Sequence, residues 1–416
     1  MDYELKKFNN GLRAMVAPMK STEAATVLVL VNTGSVYEEK RISGVSHFLE
    51  HLFFKGTKRR PTAGEVNRAL DSLGAEHNAF TSQEVTGFWV KSAAKHIGKS
   101  IDIVSDILIN PLFPAGEIDK ERGVILQELN MYQDMPQRNV MDVFDELMYG
   151  DQPAGWDVGG TPETVSGITR PDILQYKNSH YLASNALVVV AGNINSGDIF
   201  SKINKAFANM PRGKAPKMKP VKFRQLEPRV KIKYKESDQT HLVLGMPAYN
   251  IFDERKYAMS LLGVILGGNM SSRLFMEIRE KLGLTYYIRA QAHSSTYGGE
   301  FFANAGVPHK DLERAVKKMA AIFSQAHKSG VSERELRFAK EYLRGTMALS
   351  FESSDEVATF YGEQAMFQKE ILSPDAILDK MERISKDEIK AVAADILNPR
   401  RLNLAVIGPH KKLNIF

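Results

Sequence analysis

The order of apolar and polar positions is written twice along this chain. In the first half, LRAMVAP and ATVLVLVNTG are strand-like apolar runs, the second of them predicting a buried strand. A helical period follows in VSHFLEHLFF and again in AGEVNRALDSLG. The segment AEHNAFTSQEVTGFWVKSA is extended, and long helical stretches surround IGKSIDIVSDIL and AGEIDKERGVILQELNMYQ. A helix near RPDILQYKNSHY and the strand ALVVVAGNI close the half. The second half opens with VKIKYKE and THLVLGMPA, then the helical KYAMSLLGVILGG and SRLFMEIREKLG. The extended LTYYIRAQAHSSTYGGEFFANAG follows. Helices at KDLERAVKKMAAIFSQAHKSG, SERELRFAKEYLRGTMA and KDEIKAVAADIL lead to the strand LNLAVIG.

Equivalent helices even end alike. LDSLG and REKLG place Gly74 and Gly283 as carboxy-terminal stops. Between the halves, the stretch from Pro211 to Pro228 is rich in Pro, Lys and Gly and has no hydrophobic period, which reads as a linker. The expected organisation is a domain over residues 1–213, a linker over 214–228 and a second domain over 229–416. Strands that come as neighbouring pairs before and between helices predict an α+β fold. Each duplicated domain would be a mostly antiparallel sheet with helices packed on one face.

Composition narrows the chemistry. A chain of 416 residues can build a sizeable core. It contains no cysteine, so disulfides, thiolate metal sites and a cysteine nucleophile are excluded, and any metal must be held by His, Asp or Glu. The net charge of +6 is spread along the chain, and its local concentration coincides with the linker, so no nucleic-acid partner is expected. The polar start MDYELKKFNNGLRAMV lacks the basic-then-apolar order of a secretory signal, and no apolar run approaches membrane-spanning length. The expectation is a cytoplasmic protein with no membrane partner.

Within SHFLEHLFFKGT, His47 and His51 are four positions apart and stack on one helix face, where two imidazoles can reach one metal ion. Glu50 adjoins His51 and can flank the ion without ligating it, placed to take a proton from water. This H-x-x-E-H order is the reverse of the H-E-x-x-H zinc-hydrolase spacing. A catalytic zinc site needs a third protein ligand. The stretch DKERGVILQELNMYQ offers Glu121 and Glu128, which lie two turns apart and face the same way, so spacing leaves both open.

His47-x-x-Glu50-His51 followed by FFKGT, then NAFTSQEVT, then ERGVILQELNMYQD, resembles the M16 metallopeptidases, the inverzincins. The resemblance covers nearly the whole chain and implies a zinc endopeptidase with two α/β repeats and one Zn²⁺ per chain. It implies Glu128 as the third ligand and Glu121 as the residue that orients a ligand. Glu50 is then the general base. SRLFMEIREKLGLTYYI resembles the segment in which the family carries an Arg/Tyr pair, here Arg279 and Tyr286, which contact substrate and steady the carbonyl oxygen. Asn78, Ala79 and Phe80 are candidates for an edge that receives peptide substrates in extended conformation. Asp142, Asp145 and Glu146 could favour basic substrates. Where the family usually has Glu-Glu the chain has Gln127-Glu128, and where it usually has Tyr the chain has Phe88. Because one chain carries both the metal half and the Arg/Tyr half, the resemblance implies a homodimer enclosing a chamber for short or unfolded peptides. The alternative is a non-catalytic scaffold subunit of the same family. A phosphate-cradling loop at LGVILGGNMSSR lacks the required Lys.

Overall fold

A computed structural model of the chain describes residues 3–413; the outermost ends of both expected domain ranges lie outside them. In chain order the first half holds strands β1 (Glu4–Lys7), β2 (Arg13–Pro18) and β3 (Ala24–Val31), helices α1 (Val45–Phe53) and α2 (Ala63–Asp71), and the hairpin of β4 (Glu76–Thr81) and β5 (Thr86–Ala93). Helices α3 (Ile97–Ile109), α4 (Ala115–Gln133), α5 (Pro136–Tyr149), α6 (Pro162–Gly167) and α7 (Arg170–His180) follow, then β6 (Ala186–Gly192) and α8 (Ser196–Ala206). The second half repeats the plan with β7 (Arg229–Tyr234), β8 (Thr240–Ala248), α9 (Lys256–Gly267), β9 (Ile288–Ser294) and β10 (Gly299–Val307). Helices α10 (Leu312–Ser329), α11 (Glu333–Ser350), α12 (Ser354–Phe367), α13 (Pro374–Arg383) and α14 (Lys386–Ile396) then lead to β11 (Asn403–Gly408). Gly74 and Gly283 both adopt a left-handed conformation, with φ of 58° and 59°, as expected of helix stops. The segment Phe275–Lys281 is a π-helix, a widened turn that the apolar period does not distinguish from an α-helix.

The first sheet runs β1-β2-β6-β3-β5-β4 and the second β7-β11-β8-β10-β9. In each, one pair is parallel, β2 with β6 and β7 with β11, and every other neighbour is antiparallel. Apart from the additional edge strand β1, the strand order and the position of the parallel pair repeat, as a duplication requires. Two α+β units result.

In the first unit, β3 alternates strictly. Val27, Val29 and Val31 join a core with Phe48, Leu49 and Phe53 of α1 and Ile101, Val104 and Ile107 of α3. Leu28 and Leu30 face the other way, onto Val357, Ala358 and Tyr361 of α12. Each of the Val, Leu, Ile and Phe side chains among these contributes about 1.5–3 kcal/mol by leaving water. In the second unit α5 lies over the sheet in the same manner, its Val140, Val143, Phe144 and Met148 packing on Val243, Phe302, Ala405 and Ile407. One unit comprises residues up to Leu129, Asp157–Lys219 and Met347–Pro374; the other comprises Asn130–Trp156, Pro220–Thr346 and residues from Asp375 on. Each unit thus takes one covering helix from the other half of the chain. Among the described residues no helix is long and apolar enough to cross a membrane.

Candidate metal centre

Helix α1 starts at Gly44, whose φ is 93° and where a Cβ would lie 2.5 Å from the Gly159 carbonyl oxygen. Gly44 has no capping side chain. The helix start is instead held by Glu38, whose buried carboxyl oxygens accept the backbone N–H groups of Gly44 and Ser46 at 2.7 and 2.8 Å. Val45, Phe48, Leu49 and Leu52 supply the buried stripe of α1. Phe53 anchors its end, with ring centroids 4.8–5.5 Å from those of Phe88, Phe113 and Tyr181. His47, Glu50 and His51 are left on the remaining edge of the helix.

Facing them is α4. Its buried stripe contains Ile118, Glu121, Ile125 and Leu129, so a carboxylate interrupts an apolar row. Glu121 Oε2 accepts a hydrogen bond from His51 Nδ1 at 3.2 Å, and its Oε1 pairs with Lys55 Nζ at 2.6 Å. Two turns on, Glu128 Oε2 lies 3.3 Å from His51 Nε2 and 3.7 Å from His47 Nε2. The two carboxylates therefore bracket the His51 ring at its two nitrogens. The seven-residue spacing left both open as ligands; the geometry gives them different partners.

One donor atom from each of His47, His51 and Glu128 lies within 4.8 Å of the others. Zinc held tetrahedrally at about 2.0–2.1 Å keeps its ligand atoms roughly 3.3 Å apart, so these separations fit a zinc ion with little movement. The donor set of two imidazoles and one carboxylate is that of catalytic zinc sites, which leave a fourth position open. The Glu121 hydrogen bond fixes the His51 tautomer with Nε2 as acceptor, the form a metal requires.

Glu50 is half-buried, and its Oε2 accepts a hydrogen bond from Thr81 Oγ1 at 2.6 Å. Burial pushes its pKa up and the Glu128 charge adds to this; the Thr81 hydroxyl and nearby His51 act against them. Burial works to lower the His51 pKa, but hydrogen bonds to Glu128 and Glu121 prevail and raise it.

Asn78, Ala79 and Phe80 lie on β4, an edge strand of the first sheet. Ala79 packs against the α1-side core, Phe80 faces the opposite core, and Asn78 is exposed, its Oδ1 accepting the Ala79 N–H at 2.9 Å. Phe88 is core, and Gln127 is exposed. In the second unit the Arg279 guanidinium lies over the rings of Phe275 and Tyr286, at 4.7 and 5.1 Å, and Tyr286 is 78% exposed. On α5, Asp142 accepts from Asn139 Nδ2, and Glu146 pairs with Lys231. Sequence reasoning missed Glu38, Lys55 and Thr81. Only Lys55, one turn beyond His51, carried a readable signal.

Known proteins resemble the chain along most of its length. The model of the insulinase family, peptidase family M16, matches residues 14–161, and that of the peptidase M16 inactive domain matches residues 167–343. A protein of Streptomyces coelicolor named an uncharacterized zinc protease is 33% identical over 407 residues, covering 96% of this chain and 88% of its own. One of the same name from Rickettsia felis is 33% identical over 418 residues, 98% of both chains. Among solved structures, a protease from Helicobacter pylori superposes with a TM-score of 0.92 at 23% identity, over 98% of this chain and 99% of its own, and shares the fold. On these matches along nearly its whole length, the chain belongs to peptidase family M16, the insulinase family.

Proposed function

We propose that the protein is a zinc-dependent endopeptidase that hydrolyses short or unfolded peptides. The convergence of His47, His51 and Glu128 donor atoms beside the Glu50 carboxylate carries this reading. The names of the relatives support it.

Bound by those three side chains, one zinc ion per chain supplies Lewis acidity toward the scissile carbonyl and toward water. Glu50 accepts the proton that water gives up and passes it to the leaving amine. Glu121, braced by Lys55, holds His51 in its metal-facing tautomer. The substrate lies extended along the Asn78, Ala79 and Phe80 stretch of β4, held by the outward-facing main-chain groups of that edge, which make little demand on sequence. Arg279 and Tyr286 steady the carbonyl oxygen. Two copies of the chain pair in the cytoplasm around a chamber that admits unfolded peptide and excludes folded protein.

Purified Glu50→Gln should keep its zinc and lose peptide hydrolysis. Cleavage at the parent rate would remove Glu50 as the base, and a purified parent protein without zinc would remove the hydrolase reading.

A further inference from the structure

We infer that Thr81 is a positioning residue that ties the general base to the bound peptide. The inference rests on the reading of Glu50 as base and of β4 as the substrate edge. The Thr81 hydroxyl donates to Glu50 Oε2 at 2.6 Å, a short charge-assisted bond in a half-buried setting.

Thr81 is the last residue of β4, whose only sheet neighbour among the described residues is β5, with Thr81 opposite Thr86 and Ala79 opposite Phe88. Along an antiparallel edge strand, residues alternate between bonding the neighbour and pointing their N–H and C=O groups outward. The Ala79 N–H is taken by the Asn78 side chain, so it belongs to the outward set. Thr81, two residues on, belongs to the same set. Its main chain faces the place where a peptide strand adds, while its side chain reaches Glu50.

The register is held firmly. The Phe80 ring sits where a Cβ on Gly87 would be, 2.3 Å away, so β4 cannot slip past β5 without losing that seat. Adding a strand to β4 immobilises Thr81, and through its hydroxyl immobilises Glu50. Substrate docking and alignment of the base are one event.

The experiment compares Thr81→Val, which keeps the shape and removes the hydroxyl, with Thr81→Ser, which keeps the hydroxyl. Thr81→Val should lower kcat about 10- to 100-fold, as small misplacements of catalytic groups do, with KM within about threefold. Thr81→Ser should restore kcat to within about threefold of the parent. Zinc content and melting temperature should stay at the parent values in both. In a Glu50→Gln background, Thr81→Val should change the residual rate by less than about twofold. It should also leave the anisotropy-measured affinity for an uncleaved extended peptide within about threefold.

A parent-like kcat in Thr81→Val overturns the inference, as does an equal fold-loss in both backgrounds. If Glu50→Gln is inactive while Thr81→Val is fully active, only the role of Thr81 falls. If Glu50→Gln cleaves at the parent rate, the base assignment and this inference fall together.

Discussion

Glu121 stands between His51 and Lys55, its two oxygens 3.2 Å from the imidazole Nδ1 and 2.6 Å from the ammonium. A carboxylate in the buried stripe of a helix is unfavourable alone, and both of its oxygens are satisfied here. Replacing Glu121 with Ala should weaken zinc binding about 10- to 100-fold, the usual effect of losing a residue that orients a metal-binding histidine. Lys55→Met should weaken it less, because Glu121 can still accept from His51. Competition against a chelator of known affinity measures both, and parent-like zinc affinity in Glu121→Ala would refute the bracing role.

Phe53 ties α1, the helix of His47 and His51, to the core through three aromatic neighbours. Phe53→Ala should lower unfolding free energy by about 3–5 kcal/mol, from lost burial and the cavity left behind. Urea titration followed by circular dichroism reads this directly. Zinc affinity should fall with it, since His51 lies two residues away on the same helix.

Glu38 should make stability fall as pH rises. Burial pushes its carboxyl up from the ordinary 4.5 to about 7, against the N–H groups of Ser46 and Gly44, which pull it down. Between these values the folded chain keeps a proton that the unfolded chain has released. Its stabilising contribution is complete below about 4.5 and is lost as pH passes through about 7. Melting temperatures measured from pH 4 to 8 should show a downward component that Glu38→Gln removes; an unchanged profile in that variant would contradict it.

Glu335 should act with the opposite sign. Arg273 grips it with two hydrogen bonds of 2.7 and 2.9 Å, and the Ser332 N–H adds a third. These bonds, against burial, hold its pKa down at about 2. The stabilisation is full above the ordinary 4.5 and disappears as pH falls through about 2. Glu335→Gln should therefore destabilise the protein at pH 6 and differ much less from the parent near pH 2. Equal differences at both pH values would rule this out.

What could be read from the residues alone was whatever a single element dictates. His47, Glu50 and His51 announce a shared helix face because three- and four-residue spacings mean little else. Gly74 and Gly283 announce helix ends because a left-handed residue is needed there. The choice between Glu121 and Glu128 was illegible by spacing, since both point at α1 and both touch His51, one at each nitrogen. Thr81 and Glu38 were invisible because their partners lie on other elements, and nothing in a strand's alternation says what a hydroxyl meets. The π-turn at Phe275–Lys281 has the apolar content of an α-helix, so it too was hidden.

The exchange of α5 and α12 bears on how such a chain can be cut. A break in the linker would produce two fragments, each with a sheet missing its cover and a helix whose sheet is elsewhere. The first fragment would show water a strip containing Met15, Leu28, Leu30, Leu187 and Val189. Alone, each piece is an aggregation hazard; mixed, each is the other's missing lid. The polypeptide is a duplication in which each copy lends the other a covering helix, so separating the repeats would leave one sheet face of each uncovered.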